Sequence, residues 1–159
     1  MAMRSLIWII IVNLLFIVKG LIPASAAGYE CFDARGRSVS LVEDDHLKQI
    51  ALAAVDPIGG EPVVYFNPAL FTWIHPSTRL FFLAHECAHH RLGQPLGSGL
   101  TAEMESAADC RALRDLADIG LLSGEDLVSI QKDLYTFGRE EWAGVPGPRR
   151  GITPKDCSP

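Results

Sequence analysis

The order of apolar and polar positions divides the chain into segments of different period, and each period predicts a type of secondary structure. Residues 6–18 form an almost uninterrupted apolar run, whereas the later segments are shorter and patterned. Alternation at residues 38–42 and the β-branched and aromatic run Pro62–Phe66 predict strands. Apolar residues at helical spacing predict four helices, and residues 69–75 are expected to form one further helical turn. The four helices span Asp44 to Val55, Thr78 to Leu92, Ala102 to Ile119 and Gly124 to Phe137.

Boundary signals support three of these helices. Ser77, Thr101 and Ser123 stand just before them and carry the hydroxyl that caps a helix N-terminus. Gly93 and Gly120 follow two of them, where a left-handed residue commonly ends a helix. From residue 140 onward the chain is rich in Pro, Gly and Arg and is expected to be irregular. Helices beside a few short strands predict an α+β fold for a single domain.

The N-terminal apolar run has the layout of an export signal. Arg4 precedes it, and the small residues at 24–26 fit a signal peptidase site, so cleavage is expected after Ala26. An uncleaved membrane anchor is the alternative, but the run is shorter than the roughly 20 residues that span a bilayer. We therefore expect a signal peptide at residues 1–26 and one domain at residues 27–159. The expected location is secreted or periplasmic, without stable membrane insertion after cleavage.

The net charge limits the possible partners of the chain, and the cysteine count predicts its disulfides. Removal of residues 1–26 leaves 12 basic and 19 acidic side chains, a formal charge of −7, which argues against a nucleic-acid partner. Four cysteines in an exported chain predict two disulfides, and four cysteines allow three pairings. We expect Cys31–Cys157 to tie the two ends together and Cys87–Cys110 to join two helices. Free buried thiols at Cys87 and Cys110 are the alternative.

The strongest chemical signal is the segment His85-Glu86-Cys87-Ala88-His89, which lies inside a predicted helix. Residues four apart on a helix share a face, so both imidazoles are able to reach one metal ion. Glu86 is rotated by about 100° from His85, beside the metal, where its carboxylate is able to act as general base. Cys87 is rotated by about 200° and is expected to face away from the metal. Two histidines without any metal remain the alternative.

The next predicted helix carries a second pair of residues four apart, Glu105 and Asp109. The metzincin pattern is excluded, because Leu92 and Pro95 occupy the positions where it requires glycine and histidine. Glu103 competes with Glu105 as a ligand, but it lacks an acidic partner four residues later.

With HExxH on one helix and Glu105-Ser106-Ala107-Ala108-Asp109 on the next, the chain resembles the gluzincin metallopeptidases. It is most similar to the CAAX-protease-like branch, whose second motif reads ExxAD, over about residues 62–115. The resemblance implies a zincin-like fold in which the HExxH helix packs on a second ligand-bearing helix beside a small sheet. It also implies Glu105 as third zinc ligand and Asp109 as the carboxylate that orients His85. The strand from Val63 to Phe66 is then a candidate edge strand for an extended peptide substrate.

We therefore expect a secreted zinc metallopeptidase acting on a peptide or protein. Zn²⁺ is held by His85, His89 and Glu105, and Glu86 takes a proton from the attacking water. Two alternatives belong to another class, namely a zinc-stabilised binding protein without turnover and a disulfide-stapled interaction protein without metal. Glu86 discriminates against the first alternative, because a structural zinc site has four protein ligands and no need for a base.

Overall fold

A computed structural model describes residues 29–96 and 99–137 together with Ile152 and Cys157. The predicted signal peptide and most of the predicted irregular tail lie outside these residues. The described part of the chain contains a small sheet and several helices, and is therefore α+β, as the sequence pattern predicts. Its strands are β1 (Ser40–Glu43), β2 (Ala51–Val55) and β3 (Pro62–Phe66). Its helices are α1 (Pro68–Phe71), α2 (Pro76–Arg91), α3 (Ala102–Asp118) and α4 (Gly124–Thr136).

The sheet has the order β1-β3-β2, with β1 parallel and β2 antiparallel to β3. The strand predicted at Pro62–Phe66 is confirmed, but its expected position at the edge is wrong. β3 lies in the centre because both of its faces are apolar, and every residue except Tyr65 is buried. The edge strands among the described residues are β1 and β2.

The helix predicted from Asp44 to Val55 is wrong, because its second half is strand β2. Ala51 and Ala53 are buried and alternate with less buried neighbours, which is the period of a half-buried strand. The first half is a series of turns held by Asn67, whose side-chain amide donates to the Leu47 carbonyl oxygen over 2.7 Å. A short run of small apolar residues fits either period, so pairing with β3 decides its conformation.

Helix α2 forms the middle of the molecule. It contacts β2 and β3 on one side and packs against α3 and α4 on the others. Phe81, Leu83 and Ala84 are at most 1% exposed, and most of the other residues of the helix are buried as well. A helix that is buried on all sides cannot show a single apolar stripe. Side chains on several faces of α2 are therefore held in a packed interior. None of the described helices is both long and apolar enough to cross a membrane.

The other three predicted helices are confirmed, with ends within two residues of the predicted ones and one different N-cap. Thr101 caps α3, and Ser123 caps α4 through a reciprocal capping box with Asp126. Helix α2 starts earlier than predicted, because His75 rather than Ser77 is its N-cap and Pro76 occupies the first helical position. Glycines end both long helices in the left-handed region, at φ +63° for Gly93 and +73° for Gly120.

The expected disulfide pairing is wrong. The structure joins Cys31 to Cys87 and Cys110 to Cys157, with Cα–Cα distances of 5.7 Å and 5.0 Å. Cys87 does face away from the ligand side of α2, as its rotation predicts. That face is covered by the turn at residues 31–39, called the N-terminal turn below. In this turn the Ala34 N–H donates to the His90 carbonyl oxygen over 3.0 Å. Which segment covers a helix face is a tertiary fact, and helical rotation alone does not supply it.

Candidate metal centre

Helix α2 presents His85 and His89 one turn apart, so both rings lie on the same side of the helix. Their ring centroids are 4.7 Å apart and their planes are almost perpendicular, at 87°. Both side chains are buried, with exposed fractions of 4% for His85 and 1% for His89. The two histidines of the motif therefore lie inside the packed molecule.

Helix α3 supplies the opposing carboxylates. Glu105 and Asp109 are also one turn apart and only 5% and 4% exposed, which places both on the face of α3 that is turned inward. Glu103, the competing candidate, is exposed. The structure thus brings together His85, His89, Glu105 and Asp109, and leaves Glu103 at the surface.

Three side chains direct possible metal-ligand atoms to one point between the two helices. The Nε2 atoms of His85 and His89 are 3.1 Å apart, and Glu105 oxygens lie 3.2 Å from the first and 3.8 Å from the second. Zinc–ligand bonds of about 2.05 Å in a tetrahedron place neighbouring donors roughly 3.3 Å apart. The spacing and the chemistry of the donors therefore fit a metal ion, and His85, His89 and Glu105 form a buried group that is able to bind one.

The outer nitrogens of both rings are held by further side chains. The Nδ1 atom of His85 lies 2.8 Å from an Asp109 oxygen, and the Nδ1 atom of His89 lies 2.7 Å from the Gln94 Oε1 atom. Because each outer nitrogen faces an acceptor, the inner Nε2 atoms are turned toward the shared centre. Gln94 is not among the site residues predicted from the sequence. The signal that points to it is Gly93, which ends the helix and turns the chain back over the preceding turn.

The electrostatics of the two histidines differ because their neighbours differ. Burial acts most strongly on His85 and lowers its pKa, but its close contacts with the carboxylates of Asp109 and Glu105 together outweigh burial and raise the pKa to about 10. His89 has no carboxylate at its outer nitrogen, so burial and the nearby His85 lower its pKa to about 4. The raised pKa favours the charged form of His85 in the metal-free protein, and a bound cation would displace the additional proton of this ring.

Glu86 lies beside this centre and is anchored to the sheet. Its Oε2 atom accepts a hydrogen bond of 2.7 Å from the N–H of Ala53 on the edge strand β2. Burial is the largest influence on this carboxyl and raises its pKa to about 7, whereas His85 and the Ala53 N–H act in the opposite direction. A carboxyl with a pKa near neutrality is suited to exchange a proton in either direction.

Cys87 within the motif and His90 directly after it have structural roles. The Nε2 atom of His90 lies 2.9 Å from the carbonyl oxygen of Val63, which ties α2 to the central strand. His90 is buried but is not a member of the convergent group. Cys87 is committed to its disulfide with Cys31. The helix therefore uses one face for the metal group and others for the sheet and the N-terminal turn.

Comparisons with known proteins add nothing to this picture. No protein-family model matches the chain, and neither a curated protein nor a solved structure is significantly similar to it. What the geometry itself shows is a buried group of His85, His89 and Glu105 that is able to bind a metal ion.

Proposed function

We propose that this chain is a zinc-dependent metallopeptidase of zincin-like architecture. The observation that carries the proposal is the convergence of His85, His89 and Glu105 on one point, with Glu86 beside them. Two imidazoles and a carboxylate are a common donor set for catalytic zinc. The paired disulfides agree with a protein that works in an oxidising compartment, which supports a secreted or periplasmic location.

The number of ligands supports catalysis over a purely structural metal. Structural zinc sites are closed by four protein ligands, whereas catalytic sites use three and leave one position for water or substrate. The group found among the described residues has three members. A zinc-stabilised binding protein without turnover needs no general base beside the metal, whereas burial raises the pKa of the Glu86 carboxyl to about 7, which suits that role.

The chemistry of the site follows from the positions of its residues. When bound, zinc supplies Lewis-acid activation of water and of the substrate carbonyl. Glu86 takes the proton of the attacking water and delivers it to the leaving amine. The hydrogen bond from Ala53 holds the Glu86 carboxylate in place, and Asp109 keeps the outer nitrogen of His85 protonated so that its inner nitrogen faces the metal.

The edge strand beside Glu86 supports an extended peptide as substrate. The backbone groups that flank β2 show which way the strand faces. The Ile50 carbonyl oxygen accepts from the Asn67 N–H, and the Asp56 N–H donates to the Glu61 carbonyl oxygen, so both point toward the side of β3. Hydrogen-bonding partners alternate along an antiparallel strand, so the backbone groups of Ala51, Ala53 and Val55 point away from β3. A peptide would add to this edge of β2 beside the Ala53 N–H, which is bonded to Glu86, and place a carbonyl near Glu86.

The test compares four proteins purified from an oxidising expression host, namely the wild type and its Glu86→Gln, Glu105→Gln and Glu103→Gln variants. Wild type and Glu86→Gln are expected to hold about one zinc per chain by elemental analysis. Glu86→Gln should cleave a quenched-peptide library roughly 100- to 10,000-fold more slowly than the wild type. Glu105→Gln should lose zinc, whereas the matched control Glu103→Gln, exposed on the same helix, should retain both zinc and activity.

Two results would overturn the proposal. A wild-type protein that is folded but takes up no zinc excludes the metal function. Zinc binding with no peptide cleavage favours the zinc-stabilised binding protein instead, and the role of Glu86 as general base is equally excluded by cleavage that Glu86→Gln leaves unchanged.

A further inference from the structure

Gln94 occupies a position that connects the two ligand-bearing helices. It follows Gly93, whose left-handed conformation turns the chain back, and its backbone N–H donates to the His89 carbonyl oxygen over 3.0 Å. The same turn brings its side chain to the His89 ring, where Oε1 lies 2.7 Å from Nδ1. The Gln94 side chain is thereby fixed over the ring by the turn of its own backbone.

The orientation of the Gln94 amide follows from its second contact. Its Nε2 atom donates to the carbonyl oxygen of Met104 over 3.3 Å, and a carbonyl oxygen is only able to accept. The other end of the amide must then be the oxygen, so the Nδ1 atom of His89 has to carry the ring proton. In a neutral imidazole only one nitrogen carries a proton, which leaves the lone pair of His89 on Nε2.

We propose that Gln94 is a positioning residue that sets the tautomer and ring orientation of His89 for metal binding. The inference rests on the proposed zinc function and extends it to a residue outside both motifs. Met104 directly precedes Glu105 in α3. The Gln94 side-chain amide therefore links the His89 ring on α2 to the backbone next to Glu105 on α3. Because His89 is 1% exposed, solvent has little access to replace this contact.

Gln94 also differs in charge from Asp109, its counterpart at the other histidine. Asp109 faces the outer nitrogen of His85 with a carboxylate, whereas Gln94 faces that of His89 with a neutral oxygen. The amide fixes the ring without adding a further negative charge beside Glu105 and Asp109. A glutamate at this position would keep an acceptor for His89 but would lose the donor to Met104.

The experiment measures two properties of wild type, Gln94→Leu and Gln94→Glu, with Gln131→Leu on α4 as the control. The first is the tautomer of His89 in the metal-free protein, from the ¹⁵N chemical shifts of its ring nitrogens. The second is the zinc dissociation constant, from competition with a chelator. Gln94→Leu is expected to bind zinc 10- to 100-fold more weakly and to lose the single His89 tautomer. In Gln94→Glu the carboxylate should keep a proton on Nδ1 of His89, as Asp109 does at His85, and Gln131→Leu should change neither property.

Each outcome decides between the two proposals. If wild type and Gln94→Leu bind zinc equally and His89 keeps the same tautomer in both, the role of Gln94 is overturned and the zinc function stands. If wild type binds no zinc, the proposed function fails, and the tautomer measurement still decides whether Gln94 positions His89. Equal losses in Gln94→Leu and Gln131→Leu would indicate general destabilisation and would also overturn the proposal.

Discussion

Zinc uptake is expected to release more protons from the wild-type protein than from an Asp109→Asn variant. In the metal-free protein the charged form of His85, with a proton on each ring nitrogen, is favoured. Asp109 and Glu105 outweigh burial and raise the pKa of this ring to about 10. Zinc binds only to the neutral ring, so the proton must leave when the metal enters. Asparagine at position 109 removes one of the two carboxylates that hold the proton, and the pKa of His85 falls.

The size of the difference follows from the pKa values. At pH 9, about one unit below its pKa, His85 in the wild type is roughly 90% protonated. A contacting carboxylate shifts a pKa by about 1–3 units, so His85 in the variant would be between about 50% and less than 1% protonated at this pH. Wild type should therefore release about 0.4–0.9 more protons per zinc than the variant. Protons released by other groups in both proteins cancel in this comparison.

The assay is isothermal titration calorimetry with zinc at pH 9 in buffers of different ionisation enthalpy, with the metal delivered as a weak chelate. The slope of the observed enthalpy against the buffer enthalpy gives the number of protons released. Asp118→Asn, an exposed aspartate of the same helix, is the matched control and should behave as wild type. Equal proton release from wild type and Asp109→Asn would refute the argument that Asp109 holds the proton on His85.

The same linkage gives opposite pH trends for the free and the metal-bound protein. A folded-state pKa above the ordinary value of 6.5 stabilises the metal-free fold fully below pH 6.5, and this stabilisation is lost between pH 6.5 and about 10. Over the same interval zinc affinity should rise by about tenfold per pH unit through His85 alone. Metal binding thus becomes more important for the fold as the metal-free protein becomes less stable.

Two further predictions concern the fold. Replacing Cys31 and Cys87 together by alanine removes the bond that closes a loop with a sequence separation of 56. The free energy of unfolding in urea titrations should fall by about 4 kcal/mol. An unchanged unfolding midpoint would contradict this pairing. Burial raises the pKa of Tyr29 to about 12, so its neutral form stabilises the fold below pH 10 and this contribution is lost toward pH 12. Tyr29→Phe should lack that alkaline loss in circular dichroism, and equal loss in both proteins would exclude Tyr29 as its origin.

Local spacing accounts for the part of the site that the sequence analysis predicted. The caps Thr101 and Ser123 and the terminal Gly93 act on the adjacent backbone, so three helices are predicted with boundaries close to those observed. Once α2 and α3 are helices, four-residue spacing alone puts His85 beside His89 and Glu105 beside Asp109 on shared faces. These relations depend on the helix itself and need no knowledge of the rest of the molecule.

Tertiary structure decided what depends on a partner distant in the chain. The run that ends at Val55 fits a helix or a strand by period, and only pairing with β3 makes it a strand. Cys87 pairs with Cys31 because the N-terminal turn covers the face of α2 on which Cys87 lies. The Ala53 N–H meets Glu86, and the Gln94 amide meets Met104, only after β2 and α3 pack against α2. Helical and strand periods tell which residues share a face, whereas the three-dimensional packing of the whole chain selects what that face contacts.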